Sequence, residues 1–282
     1  MTKRKIVFIA DAFVEDIAGG GELNNAEATL CFLQQGYDVH RIYSRYFTPQ
    51  VLNDFKGCFF ILGNFVLVPP PSLKGLLKED FLIYEHDHKY IRSRNPAIYE
   101  NYLAPKDQLI NLPLYKSAKA VLCQSQFHKD IVYKNTGLSN LVSLGGNLWP
   151  LTALEYMREI SKQDKNDCVS VLDSNIEHKG TNEAIMFCRA KNYDFKLVRD
   201  ANYRNFLAKL GANNSFAFFP KTPETLSRVV VEARMMGLKI ISNNNIGATK
   251  EEWFQLRGEA LIDFMIEKRA EISNKILSYV GE

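Results

Sequence analysis

Short runs in which most residues are apolar alternate, in the first half of the chain, with stretches whose apolar positions recur at helical spacing. The apolar runs are Ile6–Phe13, Val39–Tyr43, Cys58–Leu62, Phe81–Glu85, Ala120–Gln124 and Leu141–Leu144. A strand covered on both faces has no polar side to show, so these runs predict the strands of a parallel sheet. Helical patterns over Leu23–Gln35, Leu73–Lys78, Leu112–Ala118 and Gln126–Asn135 supply the crossovers that parallel neighbours require. The alternation pauses at Gly145-Gly146-Asn147-Leu148-Trp149-Pro150, where paired glycines and a proline interrupt any continuous element. It resumes with a helix over Leu151–Lys162 and strands at Val169–Leu172, Lys196–Arg199, Ser215–Pro220 and Lys239–Ser242. Between those strands lie helical patterns over Asn182–Lys191, Tyr203–Leu210 and Arg228–Met236, and an amphipathic tail runs from Leu261 to Tyr279. The pattern predicts two doubly wound α/β domains, 1–150 and 151–262, with a terminal helix over 263–282 that packs back on the first domain.

Composition narrows the class without changing this picture. The chain has 282 residues, 46% hydrophobic and 24% charged, as in an ordinary globular protein. Lys and Arg total 35 against 32 Asp and Glu, and the resulting +3 is too small to mark a nucleic-acid or membrane protein by charge. Five scattered cysteines with no Cys-x-x-Cys pair argue against a disulfide framework or a zinc knuckle and for buried, reduced thiols. Asp11, Glu15 and Asp16 interrupt the apolar beginning of the chain, which therefore reads as a first strand and not as an export signal. The longest apolar run, Cys58–Val68, is too short for a bilayer and is followed by three prolines. The expectation is a cytoplasmic protein with no transmembrane segment.

Open α/β sheets bind ligands beyond the carboxyl ends of their strands, so the loops there are where chemistry is sought. After the first strand comes Gly19-Gly20-Gly21-Glu22, where consecutive glycines let backbone N–H groups approach a ligand at a helix start. The spacing is not that of the dinucleotide fingerprint, and a plain flexible turn is an equal reading. After the fourth strand, Tyr84–Arg94 holds seven ionisable side chains besides its tyrosines. If that strand continues to His88, His86 and His88 share one face and Glu85 and Asp87 the other. A polar rim that binds hydroxyls or phosphate is favoured there over a metal site, because no companion pair of histidines is present. In the second domain Lys179-Gly180 precedes a helix start, where an ammonium group suits a diphosphate. Finally, Glu224 lies in a Pro-flanked turn before a helix, and Glu232 lies about two turns further along it. Free N–H groups at that helix start suit a phosphate, and the two carboxylates suit sugar hydroxyls.

The run Pro223-Glu224-Thr225-Leu226-Ser227-Arg228-Val229-Val230-Val231-Glu232-Ala233, with Gly237, resembles the two-glutamate motif of retaining glycosyltransferases of the GT-B fold. Lys179-Gly180 with Ala184-Ile185 resembles that family's phosphate-binding segment, Gly19–Glu22 its glycine loop, and His86 or His88 its donor-facing histidine. The likeness is strongest over about 171–252 and diffuse before it. It implies two Rossmann-like domains facing a cleft, in a short version of the fold. It also implies a hexosyl- or pentosyltransferase that moves sugar from a nucleotide-diphosphate sugar, with retention and without metal. That sugar nucleotide is a co-substrate, and no separate cofactor is expected. Carried over by residue, Glu232 would hold the ribose hydroxyls and Glu224 would face the transferred sugar, with His86 and His88 also placed at the catalytic centre. Thr225, Leu226 and Ser227 would offer amides to the distal phosphate, Lys179 would neutralise the diphosphate, and Gly20 and Gly21 would line the floor. Glu22, Arg92 and Arg94 would lie on the acceptor side. Ser174 stands where the family usually carries an arginine, with Arg199 or Arg92 as possible substitutes.

The acceptor stays open among a glycan, a lipid, a protein and a modified base in DNA, the last with Lys89, Arg92, Arg94, Lys106 and Lys116 as a basic rim. Two other classes compete with the transferase: a metal-dependent hydrolase built on Glu85-His86-Asp87-His88, and a nucleotide-sugar binder without turnover.

Overall fold

The computed structural model describes residues 3–17 and 19–281. They divide into two compact units, one comprising residues up to Leu148 together with those from Arg269 onward, the other Trp149–Lys268.

The first unit is a six-stranded parallel sheet: β1 (Ile6–Ala10), β2 (Val39–Tyr43), β3 (Phe59–Leu62), β4 (Phe81–Tyr84), β5 (Val121–Cys123) and β6 (Leu141–Ser143), in spatial order β2-β1-β3-β4-β5-β6. Helices α1 (Gly20–Gln34), α2 (Pro49–Asp54), α3 (Pro70–Leu76), α4 (Leu112–Ser117) and α5 (Gln126–Thr136) cross over between them. The uniformly apolar runs have the predicted cause, since every residue of β1, β3, β4 and β5 is buried. Apart from β2, which matches its run, the strands of this sheet are shorter than their apolar runs. The first ends at Ala10, after which Asp11 turns aside to accept from the amides of Val66 and Leu67. Helix α1 starts earlier than its apolar pattern because it incorporates Gly20 and Gly21. Helix α2 has no apolar period to reveal it; Thr48 caps it by accepting from Val51 N, with Pro49 in its first turn.

The second unit starts with α6 (Leu151–Ser161) and continues β7 (Asn166–Leu172), α7 (Thr181–Ala190), β8 (Phe195–Val198), α8 (Tyr203–Gly211), β9 (Asn213–Phe218), α9 (Arg228–Met235) and β10 (Lys239–Ser242). Its four parallel strands lie in the order β10-β9-β7-β8. The chain leaves β7 toward β8 and then returns to the other side of β7 for β9. The loops after β7 and β9 therefore diverge at a topological switch point, where a parallel sheet leaves room for a ligand.

Helix α10 (Glu259–Leu277) runs through the point where the chain returns to the first unit. Ile272, Ile276, Leu277 and Val280 join the apolar cluster of Phe8, Phe32 and Phe59. A polar seam accompanies them: Arg269 Nε donates to Glu27 Oε1 at 2.9 Å, and Gln35 Nε2 to Ser273 Oγ at 2.9 Å. Among the described residues no helix is long and apolar enough to cross a membrane.

Glu27 is buried on α1 with Arg269 as its counter-ion. The variant Arg269→Met should therefore destabilise the chain by about 3 kcal/mol, because it strands a buried carboxylate. Denaturant unfolding followed by circular dichroism checks this; an unchanged midpoint would show that the ion pair contributes nothing.

Candidate functional site

At the switch point of the second sheet, two loops are locked together through their backbones. After β7 the chain passes Ser174 and enters a short turn, and Thr181 at the start of α7 ties this loop back on itself. Its hydroxyl donates to Leu172 O at 2.8 Å and accepts from Ser174 N at 3.2 Å. Gly180 has φ +69°, and a Cβ there would stand 1.9 Å from Phe219 O. Only glycine allows both the left-handed backbone and the close passage over the end of β9. Beside this contact Lys221 N donates to His178 O at 2.8 Å. The result is that Lys179 Nζ reaches Glu224 Oε1 at 2.8 Å, so two residues 45 positions apart meet in a half-buried ion pair.

The Glu224 turn is fixed just as firmly. Glu224 N donates to Asn245 O at 2.8 Å, Gly247 N to Glu224 O at 2.9 Å, and Ala248 N to Leu226 O at 3.0 Å. Leu226 is fully buried and contributes to the apolar core, so what it can offer a ligand is backbone only. Ser227 then initiates α9 with φ +75°, a conformation that costs a residue with a Cβ and that recurs at functional sites. No side chain caps this helix, and Ser227 Oγ is buried without a hydrogen-bond partner. An uncapped helix start with a strained serine, three residues after an ion-paired glutamate, is suited to an anion.

Glu232 is buried on α9. Trp149 Nε1 and Tyr203 Oη donate to its Oε1 at 3.0 and 2.6 Å, and the Arg228 guanidinium lies 4.6 Å above the Trp149 ring. Burial, and then the charge of Glu232, hold the Tyr203 hydroxyl well above the usual phenol range, so it remains a donor. Trp149 belongs to the glycine–proline stretch that the sequence marks only as a connection, and Tyr203 to a helix start with no motif. Neither is legible from spacing.

In the first unit, β4 stops at Tyr84, so the alternation expected over 85–88 does not form. The two histidines part company. His86 is half-buried beside the glycine loop, with its Cγ 3.6 Å from where a Cβ on Gly21 would stand. Gln124 Nε2 lies 2.5 Å from His86 Nδ1, and Asn25 Oδ1 lies 2.5 Å from His86 Nε2. Both ring nitrogens of His86 therefore have an amide side chain as a hydrogen-bond partner, which fixes the orientation of the ring. His88 is buried against Tyr90 and His128, and this packed ring takes the place of the catalytic position expected for it.

The acidic members of the same stretch are neutralised internally. Lys89 is buried and donates to Glu85 Oε1 at 2.6 Å and Asp87 Oδ1 at 2.9 Å; Tyr115 Oη also donates to Glu85, and Arg94 Nε to Asp87 at 2.8 Å. Burial raises the Asp87 carboxyl, but Lys89 and Arg94 outweigh it and hold the group well below the usual carboxylate range. Burial likewise lowers Lys89, and Asp87 and Glu85 outweigh it upward. Glu85 and Asp87 thus share Lys89, while His86 and His88 face separate partners. Among the described residues no three His, Cys, Asp or Glu side chains are grouped to hold a metal ion. The hydrolase reading therefore has no ligand set in this stretch, and the basic rim considered for DNA loses Lys89. Arg94 is committed to Asp87, whereas Arg92 is exposed. Glu22, in the first turn of α1, is partly buried, and that burial raises its carboxyl.

No protein-family model and no curated protein sequence matches this chain. Solved structures do. HepE (Alr3699) of Anabaena, in complex with UDP-glucose, is similar over 98% of this chain and 100% of its own, with a TM-score of 0.62 at 12% identity. A glycosyltransferase from Rickettsia africae covers 99% and 98% with a TM-score of 0.56 at 14% identity. An alpha-glucosyltransferase in complex with UDP and DNA containing an HMU base covers 99% and 100%, with a TM-score of 0.54 at 11% identity. This chain has their fold. Two parallel α/β sheets of six and four strands, each wound with helices, are the GT-B class of architecture expected from the sequence.

Two outcomes follow from the geometry. Gly180→Ala should cost at least about 2 kcal/mol, since the added carbon meets a backbone oxygen and the φ is unfavourable to it; equilibrium unfolding at wild-type stability would contradict that. Lys89→Met should cost about 3–5 kcal/mol by leaving Glu85 and Asp87 buried without their cation. The lowered Asp87 pKa gives the wild type stability that is complete above the ordinary value of 3.8 and is lost as the pH falls through the folded-state value. Urea titrations below pH 3.8 should show that loss in the wild type and a much weaker one in Lys89→Met, whereas between pH 7 and 4.5 the Glu85 carboxyl, pushed up to about 7 by burial, adds stability as the pH falls.

Proposed function

We propose that this chain is a glycosyltransferase whose second unit holds a nucleoside diphosphate sugar. The observation that carries the reading is the Lys179–Glu224 pair at the β7/β9 switch point, three residues ahead of the strained, uncapped start of α9. Its parts match the demands of the reaction. When the bond between the sugar's anomeric carbon and the distal phosphate oxygen breaks, the electron pair stays on the diphosphate and negative charge grows there. The first-turn amides of α9 and the Lys179 ammonium are fixed in advance where that charge develops. Lys179 has three N–H donors and gives one to Glu224, so donors remain for phosphate oxygens. Glu224, held by Lys179 and by the Asn245–Gly247 backbone, faces the sugar hydroxyls, and Glu232 takes the ribose.

In the first unit, on this reading, Gly20 and Gly21 have a donor-lining role, His86 has a catalytic one, and Glu22 and Arg92 take the acceptor side. Transfer with retention and without a metal ion belongs to the same reading: a lysine and a helix start supply the positive field that a divalent cation would otherwise supply. Support for uridine as the donor base comes from two of the structural neighbours, HepE with UDP-glucose and the alpha-glucosyltransferase with UDP.

Thermal-shift titration against UDP-, GDP-, ADP- and CMP-sugars tests the reading directly, because a ligand that binds only the native state raises the melting temperature. A UDP-sugar should give the largest rise. Lys179→Ala should abolish most of that rise and lower kcat/KM for donor hydrolysis by at least about tenfold, the loss expected for a charge-assisted contact. No rise with any of the four sugars would overturn the proposal.

A further inference from the structure

Three helix starts converge on Glu232: Trp149 stands just ahead of α6, Tyr203 opens α8 and Arg228 opens α9. Their polar groups do not spread over the carboxylate but meet at one of its atoms. Trp149 Nε1 and Tyr203 Oη donate to Oε1 at 3.0 and 2.6 Å, and Arg228 Nε lies 3.5 Å from the same oxygen. A carboxylate offers about four acceptor sites over two oxygens, so this arrangement saturates Oε1 and leaves the capacity of Oε2. It also fixes rotation about the last side-chain bond, since turning the group would break two hydrogen bonds in a buried site. Both donors suit the task. The indole can only donate, and the phenol, held protonated, gives its one proton to Oε1. Arg228, stacked on Trp149, offsets the buried charge.

We propose that Trp149 and Tyr203 are positioning residues that orient Glu232 so that Oε2 accepts from the vicinal hydroxyls of the donor's ribose, which makes the site selective for ribonucleotides over 2′-deoxyribonucleotides. The inference rests on the reading of Glu232 as the ribose contact. A carboxylate already immobilised on one oxygen loses little freedom when it receives the diol. A donor lacking the 2′-hydroxyl leaves part of Oε2 unpaired in a buried place, which is where discrimination against an analogue is strongest.

Calorimetric titration of the whole chain with UDP and 2′-deoxy-UDP tests this, or with the GDP, ADP or CDP pair if the wild type binds that nucleotide more tightly. The wild type should favour the ribonucleotide by at least about tenfold, the worth of one hydrogen bond to a charged group. Tyr203→Phe removes a hydroxyl and keeps the ring. It should weaken the ribonucleotide several-fold while leaving the 2′-deoxy form nearly unchanged, and Trp149→Phe should act in the same direction. A general loosening of the fold would weaken both nucleotides equally, and that result would overturn the positioning role. Glu232→Gln separates the two layers of the argument. If it abolishes the ribose preference while Tyr203→Phe preserves it, the positioning inference fails alone. If Glu232→Gln keeps the preference, the ribose reading of Glu232 fails with it. Absence of binding by all four nucleoside diphosphates would overturn both, together with the proposed function.

Discussion

The geometry of the second unit depends on one backbone contact: the chain at Gly180 passes over the carbonyl of Phe219 at a separation no side chain tolerates. Through it the loop after β7 is pressed onto the loop after β9, and Lys179 is brought to Glu224. The sheet topology creates the opportunity, since β7 is the strand from which the chain departs in both directions. The glycine turns that opportunity into a defined distance. Hydrogen bonds from Lys221 to His178, from Glu224 to Asn245 and from Gly247 to Glu224 then hold both sides of the contact in backbone rather than in flexible side chains. A site built this way is organised before any ligand arrives, which is what electrostatic stabilisation of a leaving group requires.

The two units treat buried charge differently. Around Glu85, Asp87 and Lys89 every formal charge has an internal counter-charge, and Arg94 completes the group. Such a network specifies the loop after β4 and holds up the half-buried edge that carries His86. Its carboxylates are committed to Lys89, Tyr115 and Arg94, so the densest cluster of ionisable residues in the sequence is held together internally. Around Glu232 the neutral donors Trp149 and Tyr203 outnumber the one cation, Arg228. A carboxylate held this way keeps part of its acceptor capacity.

Much of this was legible from residues alone. Parallel strands announce themselves as largely apolar runs, most plainly in β1, β3, β4 and β5; β2 and β10 fall where the pattern puts them, and the other strands differ by a few residues at their ends. Glu224 and Glu232 were visible because a helix fixes their spacing, and Lys179 because it precedes a helix start with glycine beside it. What spacing could not show is contact between distant segments. The meeting of Lys179 with Glu224, the return of α10 to α1 through Arg269 and Glu27, and the grip of Trp149 and Tyr203 on Glu232 all join residues tens of positions apart or more. The opposite error arose at His88. Alternation continued from β4 to His88 would put both histidines on one face, but the strand ends at Tyr84 and His88 packs against Tyr90 and His128. A strand's last residue is set by where its neighbours stop pairing, and that is not written locally.

The central claim is that an anionic diphosphate sits at the start of α9 beside Lys179. Backbone amide shifts of the labelled chain, followed by nuclear magnetic resonance during titration with UDP, test it most directly. The account predicts the largest changes at the amides of Ser227, Arg228 and Val229, together with Gly180 and Thr181. Saturable binding that leaves those amides unmoved and shifts another part of the chain would contradict it.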